Sequence, residues 1–66
     1  MDTRPTGSGS ERFFKVFANL PINLRSEIAA VVDGNPVTWN VAYLEIGSHT
    51  RLGEEIVRKM IELNLV

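Results

Sequence analysis

A chain of 66 residues with no cysteine and a single histidine, His49, has few ways to hold itself together. Below roughly 70–80 residues one hydrophobic core seldom supplies enough stability, and small domains add disulfides, a structural metal or a partner subunit. The missing cysteines remove disulfides and every zinc pattern built on thiolates. One histidine cannot form a histidine-based metal site within one chain, so no metal and no cofactor is expected. Oligomerisation is the remaining staple, and the expectation is a homodimer.

The charge balance narrows the choice of partner. Seven basic and eight acidic side chains leave a formal net charge of -1. Non-specific nucleic-acid binding rests on several phosphate-neutralising cations, and this balance offers no such general field. The longest uncharged apolar run falls far short of the ~18 residues that a membrane span requires. The N-terminus lacks the apolar segment of a signal peptide. A cytoplasmic protein without membrane contact is therefore expected, in line with the absence of cysteine.

Residues 1–9 (MDTRPTGSG) contain no aliphatic residue beyond Met1 and are rich in Gly, Ser, Thr and Pro. They cannot bury enough apolar area to offset the entropy of ordering, so a flexible tail is expected there. Residues 10–66 then form one small globular domain. Ser8 and Glu11 have capping-box spacing, with Ser10 as a competing cap. Phe13, Phe17 and Leu20, with Val16 beside them, recur at helical steps, and Pro21 ends that helix. Phe14 points off the stripe, where it either widens the buried face or lies at an interface.

Pro21 to Arg25 is a connector with room for a helical turn. Beyond it, Ala29 and Ala30 favour helix, whereas Ile28, Val31 and Val32 are β-branched and Asp33-Gly34 is a strong hairpin signal. The hairpin is preferred, with Ile28–Val32 paired to Val37–Trp39. Thr38 has the character of a helix N-cap, and Val41, Leu44, Ala42 and Ile46 suit a short helix from Trp39 to Ile46. Gly47-Ser48 ends it. Thr50 caps the last helix, whose stripe is Leu52, Ile56, Met60 and Leu63, flanked by Val57 and Ile61. Its early Glu54 and Glu55 and later Arg58 and Lys59 match the helix dipole. Asn64 fits the left-handed position after the helix, letting Leu65 and Val66 fold back. The fold class expected is α+β: N-terminal helix, short β-hairpin, short helix and C-terminal helix. An all-α bundle of three or four helices is the alternative.

Catalytic chemistry finds little support. His49 is the only flexible base, and its neighbours Ser48 and Thr50 are adjacent in sequence, a poor arrangement for a triad. Glu45, Glu54 and Glu55 have ordinary surface roles open to them. Gly7-Ser8-Gly9 lacks the lysine and preceding strand of a phosphate-binding loop. No catalytic, cofactor-binding or metal residue is assigned, and the chain is expected not to be an enzyme.

Two binding readings stay open. A strand followed by two helices resembles ribbon-helix-helix regulators, and Arg25, Arg51, Arg58 and Lys59 would be the cations of a small nucleic-acid-binding regulator. Those regulators read bases with a polar or basic strand, and Ile28–Val32 is apolar throughout. Protein interaction fits better, because a lone hairpin is marginal and leaves both edges unpaired. Phe14, Trp39 and Tyr43 are the candidate partner-binding residues near the hairpin, of types enriched at hot spots. Trp39 could equally anchor a monomer core.

The stretch PVTWNVAYLEI (residues 36–46), followed by Thr50-Arg51-Leu52-Gly53 and a helix ending IELNLV (residues 61–66), resembles small uncharacterised prokaryotic proteins, many of them archaeal. The resemblance spans roughly the last fifty residues, judged by pattern. It implies a compact domain and little else; some proteins of that size and class are antitoxin-like partners of a larger protein. It implies no residue roles.

Overall fold

A computed structural model describes residues 9–66. Helix α1 spans Gly9–Asn19, a 3-10 turn covers Ile22–Leu24, strands β1 and β2 span Ile28–Val32 and Asn35–Thr38, and helices α2 and α3 span Trp39–Gly47 and Arg51–Glu62. This is the α+β order expected from the sequence, and the hairpin rules out the all-helical alternative. Ser8 and its capping box lie outside the described residues. Gly9, counted with the expected tail, belongs to α1, and the rest of that tail lies outside the described residues.

The hairpin forms because Asp33 and Gly34 both accept positive φ, 52° and 80°. Two such residues make a turn whose twist matches that of the flanking strands. The loop sets Val32 opposite Asn35, Val31 opposite Pro36 and Ala30 opposite Val37, with a bulge between Ile28 and Ala30. β2 thus begins at Asn35 and ends at Thr38, two residues earlier and one shorter at its end than expected. Trp39 opens α2 because the Thr38 side chain accepts the Val41 N–H at 3.1 Å. That cap outweighs the strand propensity of tryptophan.

One face of the hairpin is buried through Ala30, Val32 and Val37, while Ile28, Val31 and Pro36 on the other strand positions are exposed. The helices cover the buried face. Phe13 and Phe17 of α1, Ala42 and Ile46 of α2, and Ile56 and Met60 of α3 complete one core with Val32 and Val37. In α3 the buried line runs Gly53, Ile56, Met60, whereas Leu52 and Leu63 at the ends of the expected stripe are exposed. Gly53 explains the rotation. A Cβ there would run into the Glu45 carbonyl oxygen, so the glycine is where α3 presses against the end of α2.

Both α2 and α3 end in the same way. After α3, Asn64 takes φ 59°, its N–H donates to Ile61 O at 3.0 Å, and the Leu65 N–H donates to Met60 O at 2.8 Å. After α2, His49 takes φ 56°, its N–H donates to Ile46 O at 3.2 Å, and the Thr50 N–H donates to Glu45 O at 3.2 Å. Each is a Schellman closure, in which a left-handed residue satisfies the last carbonyls. Val66 packs on the core and Leu65 stays largely exposed. Among the described residues, no helix is long and apolar enough to cross a membrane.

Candidate functional site

The five aromatic residues of the chain come together on the side of the core formed by α1 and the start of α2. The Phe13 ring centroid lies 5.6 Å from Phe14, 5.9 Å from Phe17 and 6.0 Å from Trp39. Tyr43 stacks on Phe17 at 4.5 Å and meets Phe14 edge-on at 5.6 Å. The three residues expected to bind a partner therefore belong to one cluster, though not as three free side chains. Phe14 and Trp39 are half-buried and pack against the core, and Tyr43 lies at the rim, 45% exposed. Phe14 widens the buried face by filling the angle between Phe13 and Tyr43.

Arg25 locks this cluster from outside. Its guanidinium carbon sits 4.3 Å from the centroid of Phe17, and Nη2 donates to the Phe17 carbonyl at 3.2 Å. A cation over an aromatic face and at a helix C-terminus is favoured on both counts. The Arg25 carbonyl in turn accepts the Asn40 N–H at 2.9 Å, which fixes the start of α2 beside the connector. Sequence reasoning counted Arg25 among the cations of a nucleic-acid-binding alternative and missed this role. Its signal lay in the position just after an aromatic helix, which composition does not weigh.

Helix α2 carries the least expected surface. Ala42 and Ile46 face the core, while Asn40, Val41, Leu44 and Gly47 point outward and none of them is charged. At about 100° per residue, Leu44 stands nearly opposite the Ala42–Ile46 line. It is 62% exposed. Glu45, the one charged residue of the helix, is occupied: Thr50 Oγ1 donates to its Oε1 at 2.6 Å and accepts the Gly53 N–H at 2.9 Å. Ile22, 80% exposed, and Leu24, 42% exposed, precede Arg25 in the connector beside this helix.

His49 is placed by the backbone rather than by any chemistry. It is exposed and borders an open groove of about 240 Å³ with Ser10, Glu54 and Arg58 at its rim and Ile46 and Val57 below. A second groove of about 230 Å³ runs between the hairpin tip and α3, lined by Val32, Asp33, Glu55, Arg58, Lys59 and Glu62. Among the described residues, no three His, Asp or Glu side chains converge on a point where a metal could sit. The Lys59–Glu62 contact, 3.9 Å and largely exposed, is a solvated pair of little energetic weight.

No protein-family model matches the chain, and neither a curated protein nor a solved structure matches it significantly. The resemblance to small prokaryotic proteins accordingly transfers no residue role, and the reading of function rests on surface and packing alone.

Proposed function

We propose that this chain is a non-enzymatic, cytoplasmic protein-interaction or regulatory module that works as a homodimer. It binds a partner through the apolar surface beside the hairpin and Trp39. The observation that carries this reading is α2. Its outward face, Asn40, Val41, Leu44 and Gly47, carries no charge, and the apolar area that Leu44 and Val41 leave in water favours a covering partner. Leu44 at the centre of that face, with Val41 beside it and Tyr43 at the aromatic rim, gives a partner an uncharged surface backed by a rigid core.

The partner surface expected is apolar and uncharged, since the outward residues of α2, Asn40, Val41, Leu44 and Gly47, carry no charge. Tyr43 is the polar-tipped aromatic of the set, and such residues supply contact area at low entropic cost. Phe14 and Trp39 contribute by holding Tyr43 and the start of α2 in place. The test is paired co-purification from the native cell with wild-type chain and Leu44→Lys as baits. A partner held in stoichiometric amount by wild type and lost by Leu44→Lys is the expected result. Identical partner sets for the two baits contradict the reading.

A further inference from the structure

The geometry points to the free edge of β1 as the place where a second copy of this chain attaches, joining two hairpins into one continuous antiparallel sheet about a twofold axis at Val31. The inference rests on the homodimeric reading above and adds where the copies meet, leaving the α2 surface for a partner.

The hairpin is a two-stranded sheet with two outer edges, and they are not equivalent. In a two-residue hairpin the pair flanking the loop, Val32 and Asn35, exchanges hydrogen bonds, and bonded pairs then alternate along the ladder. Val31 and Pro36 therefore form a pair whose backbone groups point away from each other. On β2 the outward position is taken by Pro36, which has no N–H to offer, so that edge is blunted. β2 is also only four residues long and turns at once into α2.

On β1 the outward position is Val31, with both its N–H and its C=O. Among the described residues neither has a backbone partner outside the hairpin. The strand reads Ile-Ala-Ala-Val-Val, with no charge, proline or glycine to discourage pairing. The bulge at its start leaves Ala30 to Val32 regular.

Charge is compatible with a second copy at this edge and discriminates between the possible axes. A twofold axis at Ala30 would set Glu27 against Asp33 of the copy, a like-charge pair that disfavours that register. At Val31 the same operation sets Asp33 against Ala29 and Ala30 against Val32, with no charges opposed. The hydrogen-bond pattern independently requires Val31, the residue whose groups face outward. The face of α3 that shares a groove with Val32 and Asp33 carries Glu55 and Glu62 together with Arg58 and Lys59, so no net charge of one sign stands beside the end of β1 to repel a second copy. Ile28 and Val31, 61% and 50% exposed on the outer sheet face, gain cover in the same contact.

The experiment uses the full chain, with sedimentation velocity of wild type, Val31→Lys and Leu44→Lys, and amide exchange of the wild type at high and low concentration. Val31→Lys is expected to raise the dimer dissociation constant by about tenfold or more, since two lysines would stand directly opposite each other. Leu44→Lys should leave the dimer intact. The wild-type Val31 amide should be protected in the dimer and exchange rapidly once diluted to monomer. A dimer that survives Val31→Lys, or a dimer with an unprotected Val31 amide, overturns the edge while the homodimer reading stands. A wild-type chain that is monomeric at every concentration overturns the edge and the homodimer together; the partner surface is judged separately by the Leu44→Lys co-purification.

Discussion

His49 looked like the one residue with chemical potential, and its backbone gives it a different job. It holds φ 56° at the end of α2, a conformation that costs a non-glycine residue roughly 1–2 kcal/mol. Replacing it with glycine should remove that cost while losing no buried contact. His49→Gly is expected to stabilise the domain by about 0.5–1 kcal/mol, part of the gain being offset by glycine's greater freedom when unfolded. Thermal unfolding checks this, and a lower melting temperature would mean that the imidazole makes contacts of its own. Asn64, the equivalent residue after α3, was legible in the sequence because asparagine favours the left-handed region. His49 was not, because Gly47-Ser48 next to it is the stronger stop signal, yet Gly47 remains helical. Thr38 and Thr50 were legible as caps for the converse reason: each precedes an apolar helical run, and each does accept the expected backbone N–H.

At the scale of elements, the α2–α3 joint depends on Gly53. Helix propensity alone favours alanine by up to ~1 kcal/mol. Against that, a new Cβ would lie 2.7 Å from the Glu45 carbonyl carbon and 2.9 Å from the Ile46 Cα, both backbone atoms that cannot swing aside. Overpacking of that kind costs about 1–3 kcal/mol. The clash wins, and Gly53→Ala should lower stability by about 1–2 kcal/mol, or roughly 4–16 °C in melting temperature. An unchanged or raised melting point would mean that the two helices separate freely. The same glycine explains why the stripe read from sequence was rotated. Periodicity counts side chains, so it ran the α3 stripe through Ile56 and Met60 out to Leu52 and Leu63 and passed over the residue with none. The hairpin, by contrast, was readable because Asp33-Gly34 specifies a turn by dihedral requirement, and that outweighed the helical preference of Ala29 and Ala30. The aromatic cluster was half readable. Helical spacing put Phe13 and Phe17 on one face, but nothing local could bring Tyr43 and Arg25 to Phe17.

For the whole molecule, the question is how so small a core persists. Among the described residues nine form the buried apolar set, of which Phe13, Ile56 and Met60 are the large side chains fully withdrawn from water. Among the described residues eleven large apolar side chains remain exposed, Ile22, Ile28, Val31 and Leu44 among them. In the proposed homodimer a second copy would cover part of this exposed surface, and stability would then be tied to protomer concentration. The central claim of assembly is tested most directly by the thermal midpoint of the wild-type chain across a hundredfold concentration range, with sedimentation at each end. The account predicts a midpoint that rises with concentration, together with a dimer at the upper end and monomer at the lower. A midpoint independent of concentration, with a stable monomer throughout, would contradict it.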